Sequence, residues 1–283
     1  MSVSGAEVIP WIWGKRDDIY EALKKVYGYF RKPKPTDPPM RGILIIGPGG
    51  AGKTTLARIL SGQFDWLLDE PWRYDESFGI EQYALKDDPN VSAIVAPGQS
   101  LERTLLWDGL GKRIANGEFS GILFVTAFGY HSMTLHSQRS YKNHKLYRGN
   151  KAEFLAAFTE ERRAVELAAL QQLIPHIRQC ASKLWLFTIT AKEDLWYHER
   201  QSATAHYGDG PFGQAVREVS VEKGLQLFRA EQLLASLVIG NWTSLANENL
   251  QQNAAGYDHR QQVESVRRIF EVVKALTDWG KTT

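Results

Sequence analysis

From Gly42 onward the chain alternates short runs of aliphatic and β-branched residues with longer stretches whose apolar positions recur every three or four residues. The first pattern suits a buried strand and the second a helix lying on a sheet, so their alternation points to βα units on both faces of one sheet. Six strands are predicted, at Gly42–Ile46, Gly79–Leu85, Val91–Val95, Gly121–Ala127, Lys183–Ile189 and Leu233–Ile239. Only Lys86-Asp87-Asp88-Pro89-Asn90 separates the second from the third. That is too short for a parallel crossover, so this pair is predicted to form a hairpin, leaving one antiparallel edge strand in a mostly parallel, doubly wound α/β sheet.

Three segments lie outside this alternation. Residues Trp11 to Phe30 place Ile19, Leu23, Val26 and Tyr29 at helical spacing before Arg31-Lys32-Pro33-Lys34-Pro35 ends the helix, which marks 1–40 as a helix and Pro-rich linker preceding a main domain over 41–283. The helix is expected to pack on that domain, the alternative being contact with a lipid surface or a partner. Between the fourth and fifth strands, about 129–180 reads as an insertion: a basic loop from Gly129 to Asn150, then a long helix from Lys151 to Gln179. The loop carries Arg139, Lys142, Lys145, Arg148, Lys151, His131, His136 and His144 without an acid, so it could meet phosphate or an acidic partner, or simply be solvated; its histidines lack a metal-ligand spacing. After the last strand, Asn241 to Gly256 reads as loop and Asp258 to Trp279 as a helix with Val263, Val266, Ile269 and Phe270 facing the core.

Composition narrows the class. A chain of 283 residues with 43% hydrophobic and 23% charged residues can bury a sizeable core. A net charge of +2 gives no footprint for nucleic acid. The single cysteine, Cys180, excludes an internal disulfide and suits a reducing, cytoplasmic setting. The longest apolar runs, Gly121–Phe128 and Leu233–Gly240, fall far short of the roughly 20 residues a membrane span needs.

The chemistry concentrates after the first strand. Gly47-Pro48-Gly49-Gly50-Ala51-Gly52-Lys53-Thr54-Thr55 follows an apolar strand and precedes the helical run Thr55–Leu60, the setting a phosphate-binding loop requires. Its glycines let successive N–H groups converge on phosphates, Lys53 adds a point charge, and the Thr54 hydroxyl suits Mg2+. Ser77-Phe78-Gly79-Ile80-Glu81 stands at the entrance to the second strand, where the Ser77 hydroxyl could reach the same metal. The third strand ends in Val95-Ala96-Pro97-Gly98-Gln99, where the Gly98 N–H could meet a γ-phosphate and Gln99 could orient water.

These residues together resemble the Ras-like branch of the translation-factor-related P-loop GTPases, over about Gly42 to Asn241. Ser77-Phe78-Gly79-Ile80-Glu81 looks like the first switch and Pro97-Gly98-Gln99 like the second. Thr190-Ala191-Lys192-Glu193-Asp194 stands where the family keeps Asn-Lys-x-Asp, with Lys192 and Asp194 matching. The resemblance implies a GTP/GDP ligand, with Asp194 accepting two hydrogen bonds from guanine and the Lys192 stem along the ring. It implies a base loop at Gly240-Asn241-Trp242, which lacks the Ser-Ala signature, and protein effectors or activators as partners. Arg73, four residues before Ser77, is a candidate transition-state arginine by analogy with heterotrimeric G-protein α subunits. Two departures stand out: Val95 replaces the aspartate that holds Mg2+ through water, and Ala191 replaces the base-binding asparagine. The expectation is a GTP-hydrolysing switch; the alternatives are a hydrolysis-poor nucleotide-binding scaffold, from Val95, and an ATP-using P-loop enzyme, from Ala191.

Overall fold

A computed structural model describes residues 16–30, 41–65, 80–85, 88–98, 100–132, 140–244, 246 and 248–281. Six strands form one sheet: β1 (Gly42–Ile46), β2 (Glu81–Leu85), β3 (Asp88–Val95), β4 (Phe119–Thr126), β5 (Leu184–Thr190) and β6 (Phe228–Leu234), in the order β2-β3-β1-β4-β5-β6. All pairings are parallel except β2 with β3, which is the antiparallel edge. Such a sheet places β1 at its centre, with the carboxyl ends of β3 and β4 on either side of the loop that leaves it.

Alternation along the central strands sends side chains to two apolar layers. Leu44, Ile46, Ile122, Phe124, Leu184 and Leu186 enter one, shared with helices α3 (Ser100–Ala115), α4 (Lys151–Gln179), α6 (Arg200–Gly208) and α7 (Pro211–Lys223). Ile43, Ile45, Leu123, Val125, Trp185 and Phe187 enter the other, shared with α1 (Arg16–Phe30), α2 (Lys53–Leu60) and α8 (His259–Lys281). The α4 helix spans Lys151–Gln179 as predicted, capped by the Asn150 side chain accepting from Ala152 N at 2.8 Å. In α8, Val266, Ile269 and Phe270 are buried, as their spacing predicts.

One strand lies elsewhere than predicted. The last strand is Phe228–Leu234, not Leu233–Ile239. The apolar run 233–239 suggests a buried strand, but β6 is an edge strand whose middle residues, Glu231 and Gln232, face water, so hydrophobicity does not mark it. The predicted loop over Asn241–Gly256 contains a short two-stranded hairpin, β7 (Trp242–Thr243) and β8 (Asn249–Gln251). Among the described residues, no helix is long and apolar enough to cross a membrane.

The helix α1 is packed on the domain: Ile19 and Leu23 are buried in the layer shared with α8, and Tyr20 Oη donates to Asp65 at 3.1 Å. Leu23→Ala is therefore expected to lower the unfolding free energy by about 2–5 kcal/mol, read from urea denaturation. An unchanged midpoint would mean that α1 leaves the domain in solution.

Candidate functional site

Between Ile46 and Lys53 the chain makes a tight loop in which Gly47, Gly50 and Gly52 have φ of 148°, 73° and 110°, backbone that side-chain-bearing residues rarely adopt. Space imposes glycine too. A Cβ on Gly47 would run into the Val125 carbonyl oxygen of β4, and one on Gly50 would come within 2.6 Å of Ser132 N. Ala51 is buried. The α2 helix begins at Lys53, so the N–H groups of its first turn, with Thr54 and Thr55, face the loop's concave side. Lys53 is largely buried, and its Nζ donates to Pro48 O at 2.9 Å.

The end of β3 lies against this loop. Gly49 N donates to Gly98 O at 2.9 Å, and a Cβ on Gly98 would collide with Lys53 Nζ and Gly49 N. Trp107 Nε1 fixes the approach by donating to Pro97 O at 3.0 Å. Val95 points into the apolar layer with Ile43, Ile45 and Val125, 1% exposed, and offers no ligand oxygen. Of the residues expected at a metal or in catalysis, Thr54, Lys53 and Gly98 are described, whereas Arg73, Ser77 and Gln99 lie outside the described residues.

The end of β5 supplies the other half. Lys192 sits in a left-handed conformation, φ 63°, before the short helix α5 (Glu193–Trp196), and its Nζ donates to Tyr130 O at 2.8 Å. Burial pushes this amine down to about 8, against the raising influence of Asp194 and Glu166. Asp194 is 1% exposed; Ser236 Oγ donates to its Oδ1 at 2.5 Å and Gly240 N to its Oδ2 at 3.2 Å. Burial raises its carboxyl above the usual range, with these donors opposing. Its own backbone N–H also bonds to the carboxylate.

Because β6 ends at Leu234, the loop facing Asp194 starts at Ala235, not at Gly240 as predicted. Ala235 O accepts from Glu193 N at 3.1 Å, and Ser236 is the hydroxyl partner that the misplaced strand end concealed. Gly240 N still reaches Asp194, while Asn241 is exposed with its side-chain oxygen accepting from Asn253 N at 3.2 Å. Trp242 is buried against Tyr130 and Phe158. The Ala191 methyl lies in an apolar layer with Ala51 and Leu237, and a Cβ on Gly52 would lie 3.6 Å from Leu237 Cδ1 and 3.9 Å from Ala191 Cβ. Leu237 of the loop after β6 and Ala191 after β5 therefore lie beside Gly52 of the loop after β1.

In the basic loop, acids arrive from elsewhere in the chain. His131 is buried against Glu166, Lys145 pairs with Glu161 at 3.3 Å, and Glu248 accepts from Ser140 Oγ at 2.8 Å. His144 packs on Phe154 and Phe158, whereas His136 and Arg139 lie outside the described residues.

No protein-family model matches the sequence, and no curated protein matches it. Among solved structures the chain is similar to Toc33 from Arabidopsis thaliana in complex with GDP and Mg2+, at 14% identity over 93% of this chain and 92% of that one, TM-score 0.43. It is also similar to the signal recognition particle receptor SRb-GTP/SRX complex from Chaetomium thermophilum, at 13% identity over 70% of this chain and 93% of that one, TM-score 0.40. A third likeness is to the ADP-ribosylation-factor-like GTP-binding protein, small COPII coat GTPase SAR1, from Encephalitozoon cuniculi in complex with GDP, at 15% identity over 92% and 88%, TM-score 0.36. These likenesses are remote, and the functional reading rests on the side chains described above.

The lowered Lys192 has a consequence for stability. Its folded value of about 8 lies below the 10.5 of an ordinary lysine, so between these pH values the unfolded chain binds more protons and stability rises with pH. Lys192→Met should flatten that rise, as read from urea midpoints measured across the window; an identical pH profile in the variant would contradict the assignment.

Proposed function

We propose that the chain binds a guanine nucleoside triphosphate with Mg2+ at this site, hydrolyses GTP to GDP and phosphate, and acts as a nucleotide-dependent switch on protein partners. The observation that carries the reading is Asp194: a buried carboxylate in α5, just past the carboxyl end of β5, held by Ser236 of the loop after β6. In a doubly wound sheet, ligands bind at those strand ends. Guanine presents two N–H donors on one edge, which a carboxylate accepts together; adenine presents no such pair, so the selectivity resides in Asp194.

The remaining residues take the following roles. The amides of Gly50, Ala51, Gly52 and Lys53, with those of Thr54 and Thr55, cradle the phosphates, beginning from the turn at Gly47, while the Gly49 N–H stays on Gly98 O and braces the loop. Lys53 contributes its charge to the β- and γ-phosphates, and the Lys192 stem lies along the base. Thr54 and Ser77 would hold Mg2+, which when bound would supply positive charge to the phosphate oxygens. Gly98 N–H meets the γ-phosphate, Gln99 orients the attacking water, Arg73 offsets transition-state charge, and Asn241 flanks the base.

Val95 favours a second reading, a hydrolysis-poor scaffold in which bound GTP stabilises an interaction surface. The apolar side chain removes the carboxylate that would hold a metal-bound water from the β3 end.

Binding of GTP, GDP, ATP and ADP with Mg2+, followed by phosphate release in the same samples, separates the readings. GTP and GDP are expected to bind well above ATP and ADP; tight ATP with weak GTP would sink the guanine assignment, and GTP binding without release, even with cell extract added, would select the scaffold. Asp194→Asn is expected to weaken GTP by about a hundredfold or more, since hydrogen bonds to a charged acceptor are lost. The same variant should favour xanthine nucleotides, whose carbonyl accepts from the new amide; an unaltered base preference would remove Asp194 from base recognition.

A further inference from the structure

Segment 127–132 leaves β4 and touches both halves of the site: Ser132 N donates to Gly50 O at 3.3 Å, and Tyr130 O accepts from Lys192 Nζ at 2.8 Å. It lies outside strand and helix, and Phe128 and Gly129 have positive φ of 50° and 82°. One carboxylate orders it. Glu166, near the middle of α4 and fully buried, accepts at Oε1 from Ala127 N at 2.9 Å, Gly129 N at 3.2 Å and His131 Nε2 at 2.7 Å. Its Oε2 accepts from the hydroxyl of Tyr207, on α6, at 2.5 Å, and that oxygen accepts in turn from Phe128 N at 3.0 Å. Three successive loop amides, at 127, 128 and 129, are thus tied to Glu166 directly or through Tyr207.

The chemistry of the cluster is that of a fixed anion. Burial opposes ionisation of Glu166, but its donors outweigh it and hold the carboxyl below its usual range. Burial also keeps the His131 imidazole below its ordinary value, so the neutral ring donates from Nε2, the only role open opposite a carboxylate. A leucine at 166 would be buried at lower cost than a charge, yet it could not orient backbone N–H groups.

We propose that Glu166 is a positioning residue for nucleotide binding: by fixing segment 127–132 it holds Gly50 and Lys192 in the geometry that grips the ligand. This rests on the nucleotide-binding reading above. Two measurements on the full chain test it, using Glu166→Gln, Tyr207→Phe and a core variant remote from the segment, Phe228→Leu. In the nucleotide-free protein, amide hydrogen exchange of residues 49–54 should quicken about tenfold in Glu166→Gln, less in Tyr207→Phe, and remain unchanged in Phe228→Leu. Release of fluorescently labelled GDP in the presence of Mg2+ should follow the same order, with the Glu166→Gln/Tyr207→Phe double variant no faster than Glu166→Gln alone, since both act through one network. Unchanged exchange in Glu166→Gln, or equal quickening by Phe228→Leu, overturns the proposal. If the wild-type chain holds no labelled GDP, the nucleotide reading fails, and the exchange measurement still decides whether Glu166 positions the phosphate loop.

Discussion

The structure depends on a close approach of backbones at the centre of the sheet. The loop after β1 lies so near its neighbours that a single methyl at Gly47 would strike the Val125 carbonyl, and one at Gly98 would strike Lys53 Nζ. Hydrogen bonds span these gaps, from Gly49 N to Gly98 O and from Ser132 N to Gly50 O, so the loop is held from both flanks. The strand order explains why: with β1 between β3 and β4, every chain segment leaving the carboxyl end of a central strand passes beside it. Glycine at these positions is therefore a packing requirement before it is a chemical one.

The sheet was legible to different depths along its width. β1, β4 and β5 are buried on both faces, so they appear as continuous apolar runs, and the short β2–β3 connection admits only a hairpin. β6 escaped because an edge strand carries polar residues on its open side, and the apolar run after it, with Ala235 and Leu237 buried, belongs to the loop that faces Asp194. That one misplacement also hid Ser236, because the base-side loop was sought five residues too late. Motif spacing led to Lys53, Lys192 and Asp194, since their chemistry is local to a strand end.

Glu166 was beyond any such reading. In sequence it is one acid among several on a helix rich in charge, and helical acids usually face water. Its meaning comes from a loop 35 residues earlier and a tyrosine 41 residues later, brought together only when α4 and α6 pack on one face of the sheet. The basic loop misleads in the same way: its histidines resemble a solvated cluster, yet His131 and His144 are buried, one by a carboxylate and the other by aromatic rings.

Val95 and Ala191 are apolar where the GTPase pattern the sequence resembles has polar side chains, and their surroundings differ. Ala191 and Leu237 are buried in the same apolar layer as Ala51, so apolar packing can hold the loops after β1, β5 and β6 together without a polar side chain at 191. At Val95 there is no substitute. The side chain belongs to the layer of Ile43, Ile45 and Val125, and an unpaired carboxylate there would be desolvated at a cost that only a nearby cation could offset. In the proposed function a metal would draw its ligands from Thr54, Ser77, the phosphates and water, which leaves its hold on the β3 end weaker than its hold on the nucleotide. Within the proposed function, phosphate binding by the loop around Lys53 thus stands on firmer chemistry than a response of β3 to the γ-phosphate.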